Sequence, residues 1–132
     1  MHPIRAALAA CLLLAGPALA QSQATTEAMR ALREAESELR SVLTRMEEGS
    51  LPGSMAQSRL RQALNEVERA MLRLPAESRR GPTWQNAVRE LTEAIAATRE
   101  DGADIATARQ AAGEALATLP ALRGEETGSG GS

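Results

Sequence analysis

Apolar positions recur along this chain at alternating spacings of four and three, the period of a helix that buries one face. Ala28, Leu32, Ala35, Leu39, Val42 and Met46 form the first such stripe, and it predicts a helix from Thr26 to Glu48. Thr25 or Thr26 can cap its start, Glu27 lies in its first turn, and Gly49 suits its end. After the turn "GSLPGS", Ser54 opens a second helix, with Gln57 completing a capping box. Its stripe is Ala56, Leu60, Ala63, Val67, Ala70 and Leu74, and Pro75 stops it. "PAESRRGP" connects to a third helix capped by Thr83, with Trp84, Val88, Leu91, Ile95 and Thr98 on one face. "EDGAD" breaks that helix at Gly102. Asp104 then caps a fourth, carrying Ile105, Ala108, Ala112, Ala115 and Leu119 before Pro120. No stretch alternates with the period of a strand.

Short connections make consecutive helices antiparallel neighbours, so the expected fold is all-α, an antiparallel up-down-up-down four-helix bundle. Folding each hairpin about its turn gives layers in which larger residues face alanines, an arrangement that fills space without voids. One end layer would hold Ala28, Leu74, Trp84 and Leu119, and the other Val42, Leu60, Thr98 and Ile105. Trp84 is the only aromatic residue; there is no Phe and no Tyr. At the end of a core made largely of alanine, its ring is expected to act as a plug, contributing roughly 150–250 Å² of buried surface.

The chain opens "MHPIRAALAACLLLAGPALAQS". This sets a short region carrying Arg5 before an apolar run and an Ala18-Leu19-Ala20 cleavage pattern. Residues 1–20 therefore read as a cleaved signal peptide, 21–123 as the bundle domain, and 124–132, ending "GEETGSGGS", as a flexible, disordered C-terminal tail. The apolar run is too short for a permanent span. Leu8-Ala9-Ala10-Cys11 also resembles a lipobox, which would make the protein a lipoprotein anchored at Cys11, although most of the apolar run follows that cysteine. Every basic residue is Arg, and Ala is abundant, as GC-rich coding produces. Together with the leader this points to a Gram-negative bacterium and a periplasmic location.

Cleavage after Ala20 removes His2 and Cys11, the sole histidine and the sole cysteine. The remainder lacks His, Cys, Lys and Tyr, so the usual acid–base inventory is missing and no enzyme is expected. No catalytic, cofactor-binding or metal site is expected either. The C-x-x-C-H attachment of c-type haem is absent, and Glu-x-x-His pairs cannot form. Methionine is the surviving metal ligand, since thioethers suit Cu(I). Folding the first hairpin pairs Met46 with Met55, and Met29 with Met71 or Leu72, at opposite ends. Core filling is the commoner role.

The net charge of −2 argues against nucleic acid as a partner. Charge is nonetheless unevenly placed. The second helix and the loop after it carry Arg59, Arg61, Arg69, Arg73, Arg79 and Arg80 against Glu66, Glu68 and Glu77. The fourth helix and its approaches are acidic. Arg69, Arg73, Arg79 and Arg80 are therefore the candidate docking residues, for an acidic protein or for anionic headgroups. Elsewhere acids and arginines interleave, and Glu36 with Arg40 reads as an i,i+4 pair on a solvated face.

The expected role is that of an exported, non-enzymatic interaction or accessory protein. The alternative is a bundle carrying a small apolar ligand or copper. A third pattern bears on architecture. Ala63, Val67, Ala70, Pro75 and Ala108, Ala112, Ala115, Pro120 share one spacing, and "LPA" recurs at 74–76 and 119–121. This resembles the second helix of a tetratricopeptide repeat, and implies a helical-hairpin adaptor stacked as a superhelix. The large aromatic of that repeat is replaced by Val67 and Ala112.

Overall fold

A computed structural model of the chain describes residues 2–99 and 104–124, with side chains from Gln23 onward. Four helices account for nearly all of them: α1 (His2–Glu47), α2 (Gly53–Leu72), α3 (Gly81–Arg99) and α4 (Ile105–Leu122). A single 3-10 turn, Ala76–Ser78, lies between α2 and α3, and no strand occurs among the described residues.

The helix ends show which local signals decided them. Gly49 closes α1 with φ +73, its N–H donating to the Met46 carbonyl and that of Ser50 to Arg45. This is the Schellman arrangement that a left-handed glycine permits. Asp104 caps α4 as expected, accepting from the Ala106 N–H at 3.0 Å and the Thr107 hydroxyl at 3.1 Å. Other expectations are corrected. α1 runs unbroken through Thr25 and Thr26, because the Ala- and Leu-rich residues before them are themselves strong helix formers. α2 begins at Gly53 behind Pro52, with no side-chain cap, and α3 begins at Gly81 rather than after Thr83. There Pro82 falls in the first turn, where its missing N–H costs nothing. Pro120 does not stop α4, which continues to the buried Leu122. The expected break at Gly102 and the tail beyond Gly124 lie outside the described residues.

The hairpins α1–α2 and α3–α4 pack most extensively, α2 lies beside α3, and α1 meets α4. Contact between the first and last helices closes a ring around one core, whereas a stack of hairpins would pair α1 with α3. Across the ring α2 also approaches α4. Alanine permits this: Ala56, Ala63 and Ala70 on α2 and Ala108, Ala112 and Ala115 on α4 are all buried. Leu32, Leu39, Leu60, Leu64, Met71 and Leu119 supply the bulk of the core.

The heights expected of α1 beside α2 and of α2 beside α3 agree with the residues that line their grooves and with the Arg61–Thr98 bond, but α4 is displaced. Glu36 is only 3% exposed, and it accepts a two-pronged bond from Arg123 at the end of α4, at 2.8 and 3.1 Å. Arg40 adds a third donor at 3.2 Å. The pair on a solvated face is thus one arm of a buried cluster. Glu36 stands about 12 Å along α1 from Ala28, so a bond to Arg123 requires α4 to sit more than a turn higher than a layer shared by Ala28 and Leu119. The shift brings Leu122 into the core and pushes Ile105, 38% exposed, out of it. On α3 the buried stripe runs Ala87, Leu91, Ala94, Ile95 and Thr98, which turns Val88 outward. Trp84 packs against the core but stays half-buried.

Candidate functional site

Arg69 and Arg73 lie one helical turn apart on α2 and line a groove of about 410 Å³ between α1 and α2. Its floor is Ala31, Ala35 and Ala70; the facing wall is Glu34 and Glu38 on α1, with Glu66 beside Arg69. The alanines follow from the helical stripe, and the charges occupy the positions that flank it on each helix. Arg69 bonds Glu66 at 2.7 Å, a solvent-exposed pair that contributes about 1 kcal/mol at most. Glu34, Glu38 and Arg73 make no ion pair among the described residues.

Arg79 and Arg80 stand elsewhere. They follow the 3-10 turn at the end of the bundle where α2 passes to α3, and both are exposed. The Arg80 Nε donates to the Ala76 carbonyl at 3.4 Å. The four candidate arginines thus form two pairs, one in the groove and one on the connection, with Arg73 at the junction as the residue that ends α2. Sequence reasoning did not single out Glu34 and Glu38. Their i,i+4 spacing mirrors that of Arg69 and Arg73, but only the antiparallel register of α1 and α2 sets the two pairs across one groove.

Two further surfaces bear on the alternatives. Along α2, Ser58, Arg61, Gln62, Asn65, Glu66 and Arg69 line a polar groove of about 330 Å³. Within it Arg61 is committed to the fold: its Nη2 and the Gln57 Nε2 both donate to the Thr98 carbonyl at the end of α3. They thereby satisfy an acceptor that the helix itself leaves open. The Arg61 Nε is buried without a hydrogen-bond partner. At the opposite end of the bundle, Met46, Leu51, Gly53, Ala56, Ile105 and Ala106 line an apolar groove of about 190 Å³, with Arg109 at its rim. Ligand pockets are commonly about 300–1,000 Å³, so this groove alone would hold only a small group. Met55 is 41% exposed, Met29 and Met46 are half-buried, and Met71 is buried in the core. No cluster of three or more His, Cys, Asp or Glu side chains occurs among the described residues. None of the described helices is long and apolar enough to cross a membrane.

Comparison with known protein families, with curated proteins and with solved structures finds no match.

Proposed function

We propose that this chain is an exported, non-enzymatic interaction protein of the periplasm, released by cleavage after Ala20, with residues 124–132 as a flexible tail. Its working surface is the α1–α2 groove. The observation that carries this reading is that Glu34 and Glu38 face Arg69 and Arg73 across one alanine-floored groove, with Arg69 also bonded to Glu66. Small residues let a partner helix approach closely, as in helix packing generally. Walls of opposite sign select a partner helix with an acidic edge toward Arg69 and Arg73 and a basic edge toward Glu34 and Glu38. Charges placed this way set orientation and suppress wrong partners more than they add affinity.

Crosslinking in the host envelope tests the reading. A chain carrying Arg69→Glu and Arg73→Glu should lose its crosslinked partner by at least about tenfold, the scale of a lost pair of interfacial charge contacts. Adding Glu34→Arg and Glu38→Arg should not restore that partner, because the groove then presents its charges reversed. Unchanged partner recovery by the arginine variant would overturn the groove as the docking surface. The carrier reading draws support from the apolar groove at Met46, Leu51 and Ile105. It predicts non-covalent extra mass on the natively purified protein.

A further inference from the structure

One end of the bundle gathers features that the groove does not use. Leu72, in the last turn of α2, is 59% exposed. The register of α2 against α3 is fixed by the bond from Arg61 to the Thr98 carbonyl and by the groove where Glu68 lies with Thr92 and Ile95. Carried along these antiparallel helices, it sets Leu72 level with Val88, which is 37% exposed. Trp84 lies one turn beyond on α3, half-buried against the core. Around these apolar side chains the connection places Arg73, Arg79 and Arg80, all exposed, against Glu77 alone. Because α1 is antiparallel to α2, the apolar segment before Gln21 leaves the bundle at this same end. About 12 Å of helix separates Ala20 from Ala28.

Exposed leucine and valine, an amphipathic indole and a set of arginines are what a membrane interface selects. The apolar side chains enter the headgroup–acyl boundary, the indole sits at headgroup depth, and arginine stems lie along them with guanidinium groups on phosphate. We propose that this end of the bundle docks on an anionic phospholipid surface. Leu72, Val88 and Trp84 enter the interface, and Arg73, Arg79 and Arg80 contact the phosphates. While the apolar segment is still attached it holds this end against the bilayer. After its release the arginines and Leu72 keep the contact reversible, as expected of an interfacial patch without a second anchor. Arg73 also lines the α1–α2 groove, so Leu72, Arg79 and Arg80, which do not, separate this contact from a partner held there.

Trp84, as the only tryptophan, reports on the contact directly. The probes are vesicles of phosphatidylglycerol and phosphatidylcholine in equal parts, and vesicles of phosphatidylcholine alone. Protein recovered from the host envelope, its N-terminus established by mass, should bind the first at low salt and not the second. Its emission should shift to the blue and be quenched by brominated acyl chains. Reversing Arg73, Arg79 and Arg80 to Glu should weaken binding at least about tenfold, given the attraction each arginine gains near an anionic surface. Leu72→Ser should weaken it without unfolding, since the side chain is mostly exposed. Arg69→Glu, confined to the groove, should leave it unchanged. No binding to the anionic vesicles, equal binding to both kinds, or binding without a response from Trp84 would each overturn the proposal.

Discussion

Glu36 behaves as no polar-face residue should, and at the residue scale it governs how the ring closes. A carboxylate removed from water is tolerable only when charge and hydrogen bonds replace its hydration. Arg123 and Arg40 supply three donors between them. Removing Arg123 leaves Glu36 buried beside an arginine whose side chain is mostly in solvent. Arg123→Ala is therefore expected to cost about 3–5 kcal/mol in urea unfolding, while the joint change Glu36→Leu with Arg123→Met recovers most of it. An unchanged midpoint for Arg123→Ala would mean that Arg40 and water suffice for the carboxylate. Little of this cluster was legible in the sequence. Glu36 follows Leu32 by four and precedes Leu39 by three, a spacing that sets it at the margin of the apolar stripe. Nothing local says that Arg123 arrives there.

Among the elements, α4 carries the clearest contrast between neighbouring positions. Ala112 is fully buried in the core, so a larger side chain there must displace its neighbours. Ala112→Leu should cost about 1–3 kcal/mol by overpacking. Gly113 is next to it, and a methyl group added there meets nothing within 4 Å. Gly113→Ala should stabilise by about 0.5–1 kcal/mol, because glycine loses more backbone freedom on entering a helix. Thermal unfolding of the two variants should move in opposite directions, and a destabilised Gly113→Ala would show that α4 packs closer than described. The stripes on α1 and α2 were legible because each follows one unbroken period. On α3 the period admits either Ala87 or Val88 at the inner position. Hydrophobicity alone prefers Val88, yet the helix turns Ala87 inward and leaves Val88 exposed.

For the molecule as a whole, the described core begins at Ala28, well within α1. A chain starting at Gln21 retains every described buried residue, and its melting temperature should stay within about 2 °C of the full-length chain, a shift of well under 1 kcal/mol. A fall beyond about 5 °C would show that residues before Gln21 contribute to the core. The two surfaces proposed to act, the α1–α2 groove and the end bearing Leu72, Trp84 and Arg79, are separable by the variants described. Arg69→Glu affects only the groove, and Leu72→Ser only the end.

By itself the sequence determined the number of helices, most of their faces, the stop of α1 at Gly49 and the start of α4 behind Asp104. These follow from period and from hydrogen bonds made within a few residues, so neighbours along the chain suffice to set them. Only the tertiary structure decided the height of α4 against α1, the burial of Glu36, the half-burial of Trp84 and the facing of Glu34 and Glu38 by Arg69 and Arg73. Each depends on how far one helix slides past another. An alanine-rich stripe specifies that slide weakly, since one small side chain packs much like the next, and the register is left to bonds between residues far apart in the chain, such as Arg123 with Glu36 and Arg61 with Thr98.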